Sequence, residues 1–371
     1  MIRLITTDYI SEILNYLDRD KFTIDRLKRL PDVVIGKSYL KEKTFNNMSD
    51  VYYLDIDAGD SIPFPLYCMP NLIDLKDEIS ITQKNKLVKS GINTPVLYSG
   101  DHLKNILSFT HHNLDKHYVL SLARTSKGYG KWLMSKRNLI KLATTSLKFK
   151  GELEEFIRLM KNLSTRYCYR ETAYDNDNVF ENIHERLLKA LTKPEIDDPL
   201  YLMECITDNI NVLEYVREFR VYLFKSPTGV KYIIKKREIS PFTKNNDEDT
   251  YMYTDDVLNN DYVKKHLIHD YSIHPFLKDV NAYVKEKLIP FFNTKLDRPF
   301  VSVDLYIHRQ EDNKLDIGVF EYSSVPHISY PPETTVQVDD KVRVSINWTH
   351  SFSKLITDAM LQHIKEMNRK K

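Results

Sequence analysis

The chain has 371 residues, is 42% apolar, and is close to neutral, with 54 Lys and Arg against 52 Asp and Glu. That length can bury two or three packed lobes, and the composition excludes a disordered chain. The charge balance gives no overall field for nucleic acid or an anionic membrane, so neither is expected as a partner. Three scattered cysteines (Cys68, Cys168 and Cys205) form no C-x-x-C pair, which argues against a disulfide framework and a structural zinc site. The opening MIRLITTDYISEIL lacks a basic region followed by an apolar run, and no uncharged apolar stretch is long enough to span a bilayer. A soluble, cytoplasmic protein is therefore expected.

Taken in order, the first hundred or so residues alternate short apolar runs with helical patterns. Residues 1–6, 33–36, 51–56 and 94–98 read as strands, and 9–17 and 75–88 as helices. These predict a small N-terminal α/β domain over 1–115. From Lys116 the texture changes. A strand over 118–123 leads into ARTSKGYGKW, and helices follow over 151–160 and 178–191, the second with Phe180, Ile183, Leu187 and Leu191 on one face. Pro194 and Pro199 mark a break that closes a first lobe at 116–210.

The remaining residues, 211–371, form a second lobe. Residues 218–224 and 229–234 read as a hairpin, and the acidic stretch 245–260 as a loop. A helix over 276–292 has Pro290 near its end. Strands over 300–307 and 315–322 come next, and a helix over 351–367 closes the chain. The overall class expected is α+β.

Three stretches carry chemistry. In the strands PFVSVDLYI and LDIGVFEYS, Asp304 and Glu321 sit in mostly apolar company. A carboxylate inside a sheet is costly without a compensating cation. The nearest cations in sequence, Arg309 and Lys314, lie out in the turn, so a metal is expected, and hard oxygen ligands suit Mg²⁺. The alternative is a pair of structural carboxylates met by lysines from the hairpin.

The second stretch is the loop from Arg124 to Lys131. Its Thr125, Ser126, Lys127, Gly128, Gly130 and Lys131 can wrap phosphate oxygens with N–H groups and positive charge. It has neither the G-K-[ST] of a Walker loop nor the third glycine of a dinucleotide fingerprint, and it also fits an ordinary basic turn. The third stretch is the hairpin REFRVYLF and KYIIKKR. Alternation puts Glu218, Arg220 and Tyr222 on one face of its first strand, and Lys235 and Arg237 on one face of its second. Such a surface suits an anionic ligand, or else a solvated face with cross-strand ion pairs.

In this order the three stretches resemble the ATP-grasp superfamily. The corresponding text is SLARTSKGYGKW, then REFRVYLF with KYIIKKRE, then VSVDLYI and GVFEYSS, covering residues 116–324. Two subgroups are similar: eukaryotic chaperones that assemble a translation initiation factor, and divergent ATP-grasp proteins of phages and large viruses. The resemblance implies an ATP-grasp fold, with two α+β lobes clasping a nucleotide behind the small N-terminal α/β domain. It implies ATP and Mg²⁺ as cofactors, with Asp304, Glu321 and Ser323 at the metal, Ser323 standing where the family has Asn. Arg220, Lys235 and Arg237 would meet phosphate or the activated substrate. Arg124, Lys127, Gly128, Gly130 and Lys131 would cover the phosphates, and Glu214, Tyr215 and Val216 would run along adenine and ribose. The implied activity is an ATP-dependent carboxylate–amine ligase acting through an acylphosphate, with a carboxylate donor and an amine acceptor as partners. Two alternatives remain: an ATP-binding assembly chaperone, or a non-enzymatic viral interaction protein. The adjacent His111 and His112 lack a carboxylate at ligand spacing and read as surface residues.

Overall fold

The computed structural model describes residues 3–6, 34–35, 51–55, 72–74, 80–100, 102–122, 130–167, 177–192, 200–206, 216–237, 252–254, 274–310, 314–323, 333–337 and 343–370. The protein is α+β, with one parallel sheet and two large antiparallel sheets.

The first sheet holds β1 (Arg3–Thr6), β2 (Val34–Ile35), β3 (Val51–Asp55) and β4 (Leu72–Asp74) in the order β2-β1-β3-β4. All its neighbours run parallel, an arrangement that needs crossover connections and so agrees with the α/β pattern. The helix expected over 9–17 lies outside the described residues. Helix α1 (Ser80–Lys89) follows, where the sequence pattern anticipated 75–88.

The second sheet is antiparallel. Its strands are β5 (Leu97–Gly100), β6 (His117–Leu122), β7 (Lys131–Ser135), β8 (Arg166–Tyr167) and β9 (Leu200–Glu204), ordered β5-β9-β6-β7-β8. Pairing with β9 draws β5 into this sheet although it lies ahead of residue 116. One face is covered by α2 (Leu103–Ser108), α3 (Lys136–Ser146), α4 (Leu153–Leu163) and α5 (Asp177–Thr192). Tyr118, Leu120, Trp132, Met134 and Leu202 from the strands pack there with Leu139, Phe156, Met160 and Leu187 from the helices. Of the face foreseen on α5, Ile183, Leu187 and Leu191 are buried. Alternation turns Val119 and Leu133 to the opposite side, away from these helices.

The third sheet is assembled from β10 (Arg217–Ser226), β11 (Gly229–Arg237), β12 (Met252–Thr254), β13 (Phe300–Arg309) and β14 (Leu315–Ser323), ordered β12-β11-β10-β13-β14. The short strand β12 lies within the stretch expected to be a loop. Its Met-Tyr-Thr run pairs with the outer edge of β11, a partner that local composition does not reveal. One face of the sheet packs on α6 (His274–Tyr283) and α7 (Ile289–Lys295), which are joined by a wide π turn over Val284–Leu288. Pro290 stands at the start of α7, and the widened turn before it accommodates a residue with no N–H and a bulky ring. β15 (Glu333–Gln337) and β16 (Arg343–Asn347) form a separate ribbon, and α8 (Trp348–Lys370) closes the chain.

Candidate functional site

Alternation along β10 sends Phe219, Val221 and Leu223 into the helix-packed core. Arg220 and its same-side neighbours are left on the other face. The antiparallel register then sets Lys235 opposite Arg220, Arg220 opposite Asp304, and Asp304 opposite Glu321. Four charged residues from β11, β10, β13 and β14 thus stand in one row across the sheet. On one side the next row holds Arg237, Glu218, Tyr306 and Gly318; on the other it holds Ile233, Tyr222, Ser302 and Ser323.

Asp304 finds its cation within this row. Arg220 Nε donates to one carboxylate oxygen at 2.6 Å and an Arg220 terminal nitrogen donates to the other at 2.7 Å, a two-pronged pair. The sequence pointed to a metal as the missing cation of Asp304; a cross-strand arginine 84 residues earlier also supplies positive charge there. Burial opposes the Arg220 charge, but the hydrogen bonds and charge of Asp304, aided by Tyr222 and Glu321, outweigh it and hold the guanidinium above its ordinary value. Lys235 is buried beside this pair, on the strand opposite.

Glu321 is exposed, in contrast to Asp304. Between them the pairing slips: Asp304 faces Glu321, while Leu305 faces Val319, so Phe320 is an extra residue in β14. A bulge of this kind re-aims the side chain beside it. On the outer side of β14 sits Lys84 of α1, which was not singled out from the sequence. Its ammonium donates to the Phe320 carbonyl and, at 2.7 Å, to Thr94 Oγ1. Desolvation lowers the Lys84 pKa to about 7; the Glu321 charge opposes the drop and Lys131 adds to it. Lys131, at the root of the glycine loop, therefore lies within electrostatic reach of Lys84, which in turn feels Glu321.

The loop itself, including Arg124, Lys127 and Gly128, lies outside the described residues, as do Glu214 and Tyr215. The stems of the loop are described: Ser121 pairs with Lys131, and Leu122 N–H donates to the Gly130 carbonyl at 3.2 Å. Gly130 has φ +64°, a left-handed conformation that favours glycine. Val216 is buried in a small apolar cluster with Val119 and Leu133 of the second sheet and Tyr306 of the third. Met203, Cys205, Ile206 and Phe320 pack around it. This cluster bridges the two antiparallel sheets directly beside the charged row. The Tyr306 and Phe320 rings meet at a centroid distance of 4.9 Å with their planes inclined by 45°. Gly318 makes this possible, since a Cβ there would collide with the Tyr306 ring. Arg237 stands opposite Glu218 in the register; its side chain is outside the description.

A divalent cation fits part of this arrangement. Asp304 and Glu321 are cross-strand neighbours, and Ser323 lies two residues beyond Glu321 in β14, opposite Ser302. A carboxylate offers about four lone-pair positions, so Asp304 keeps acceptor capacity beside Arg220. Among the described residues no group of three or more His, Cys, Asp or Glu could hold a metal ion. Two carboxylates completed by phosphate and water are the usual seat of Mg²⁺. Among the described residues no helix is long and apolar enough to cross a membrane.

No protein-family model matches the chain, and no curated protein matches it. Among solved structures it is similar to D-alanine–D-alanine ligase from Bacillus anthracis, at 11% identity over 100% of both chains with a TM-score of 0.45. The macrocyclase MdnC from Microcystis aeruginosa, solved with its precursor peptide MdnA, matches at 9% identity over 96% of this chain and 99% of that one, with a TM-score of 0.43. N5-carboxyaminoimidazole synthase from Aspergillus clavatus, solved with ADP and an aminoimidazole ribonucleotide, matches at 12% identity over 88% and 70%, with a TM-score of 0.40. At these identities and scores the likeness assigns neither a substrate nor a role to any residue.

Proposed function

We propose that the protein is a divergent ATP-grasp ligase that binds Mg²⁺-ATP between its two antiparallel sheets and activates a carboxylate for attack by an amine. The observation that carries this reading is the charged row Lys235–Arg220–Asp304–Glu321 lying directly beside an apolar cluster shared by both sheets. A nucleotide has the matching halves, a flat apolar base and a charged phosphate tail. Phe320, the partly exposed ring at the edge of that cluster, would face the base, and Val216 would belong to the segment along adenine and ribose. Lys131 and the loop from Arg124 would lie over the phosphates, and Glu214 and Tyr215 along the ribose.

Asp304, Glu321 and Ser323 would hold Mg²⁺. When bound, the ion neutralises phosphate charge and orients the transferring phosphoryl group. Arg220, Lys235 and Arg237 would meet the negative charge that builds on that group and on the carboxylate it reaches. The apolar cluster would help to exclude water, against which an acylphosphate must be protected. The boundary at 210 and a cytoplasmic location belong to this same proposal, whereas β5 and α2, ahead of 115, pack with the second sheet.

One observation favours a second reading. Both Asp304 oxygens accept hydrogen bonds from Arg220, a lock suited to a protein that holds nucleotide without turning it over, as an assembly factor would. Thermal-shift titration with Mg²⁺-ATP tests the site. Wild type is expected to gain melting temperature, and the double variant Asp304→Asn with Glu321→Gln to lose most of that gain. Equal shifts in both would overturn the site, and no shift in wild type would overturn nucleotide binding itself. Release of ADP and phosphate only when a carboxylate and an amine are both supplied marks the ligase; nucleotide binding without release marks the assembly factor.

A further inference from the structure

Helix α1 has three buried residues, Gln83, Lys84 and Leu87, and two of the three are polar. Burying a lysine is costly, so its partners matter. Gln83 Nε2 donates to the Tyr322 carbonyl at 2.8 Å, and Lys84 Nζ donates to the Phe320 carbonyl. Thr94 Oγ1, which accepts from Lys84, donates in turn to the Val319 carbonyl at 2.7 Å, and Val319 N–H donates to the Asn93 carbonyl at 2.8 Å. The four contacts fall on residues 319, 320 and 322, all on the side of β14 that has no neighbouring strand. They bracket Glu321 on both sides, and the central one grips the bulge that sets its direction.

We propose that Lys84 is a positioning residue for Glu321: by holding the Phe320 carbonyl at the bulge, it aims the Glu321 carboxylate at Asp304. This rests on the reading of Glu321 as a metal ligand. A neutral donor could cap the same carbonyl. A cation also sets a favourable charge near Glu321, on the side away from the Arg220 charge that reaches it across the sheet. Lys131 is a second cation whose charge reaches Lys84, alongside that of Glu321. A helix from ahead of both antiparallel sheets thereby fixes the geometry of a strand more than 200 residues later. Supporting contacts of this kind change metal affinity by about 10–100-fold in known sites.

The variants are Lys84→Met, which keeps length without a donor, and Lys84→Gln, which restores one donor. Crystal structures of ligand-free wild type and K84M read the positioning directly. The Glu321 carboxylate is expected to turn away from Asp304 in K84M, and superimposable carboxylates would overturn the proposal. Calorimetry with ATP, with and without Mg²⁺, gives a second readout. K84M is expected to lose roughly tenfold in affinity for Mg²⁺-ATP and none for ATP in chelator, with K84Q between K84M and wild type. Equal losses with and without Mg²⁺ would overturn it, because a general structural defect or direct phosphate contact weakens both. If wild type binds neither form, the nucleotide reading falls, and the two crystal structures still decide the role of Lys84.

Discussion

The two faces of the third sheet are cut from the same strands, residue by residue, and could hardly differ more. Phe219, Val221, Leu223, Val303 and Leu305 turn one way and are sealed under α6 and α7. Arg220, Asp304 and Glu321 turn the other way, with Tyr306 and Phe320 as apolar neighbours. Both faces are largely buried, so burial alone does not explain the difference. The helix-packed face is held by apolar area, which is non-directional. The charged face is held by paired groups, each useful only while its partner stays in place. One face therefore stores stability and the other stores geometry, and substitutions on the two should fail differently.

The largest expected effect is on the helix-packed face. Phe219→Ala removes a ring that is fully buried, and it should cost about 3–5 kcal/mol in chemical denaturation. Nucleotide affinity, measured where the variant remains folded, should hardly change. A loss of affinity without a loss of stability would erase the distinction between the faces.

Next comes Asp304→Ala, which strands the Arg220 guanidinium without its two-pronged partner. It should cost about 3 kcal/mol. Arg220→Met combined with Asp304→Leu should recover most of that loss in the same denaturation assay, while Mg²⁺-ATP no longer raises the melting temperature. Recovery of both stability and the ligand response would show that the pair is structural only.

The smallest stability effect is expected for Glu321→Ala. Glu321 is exposed, so stability should move by less than about 0.5 kcal/mol. The Mg²⁺-dependent part of ATP binding should nevertheless be lost. Comparing Asp304 with Glu321 thus separates a carboxylate serving stability and site together from one serving the site alone.

Much of this sheet is legible locally. The alternation in REFRVYLF and VSVDLYI identifies both strands, and the Ser226–Gly229 turn joins β10 to β11 as expected. Asp304 and Glu321 stand out because each interrupts an apolar run. The link between Arg220 and Asp304 is not legible, because the two are separated by 84 positions and meet only through strand order. β7 and β9 pass unnoticed for a related reason: KWLMS and LYLME are too short to show a period, and both depend on β6 for pairing. Lys84 is hidden more deeply. On α1 it looks like one of several solvated lysines, and only the packing of that helix against β14 buries it.

The sequence by itself determined the α+β class, the alternation of the strands, and the three motifs in their order. Each of these depends on neighbours in the chain, through backbone period and turn chemistry. The tertiary structure decided which charges meet: Arg220 with Asp304, Lys84 with the bulge before Glu321, and Val119 and Leu133 with Tyr306. Those meetings depend on sheet order and register, which are set by the burial of whole faces rather than by any local run of residues.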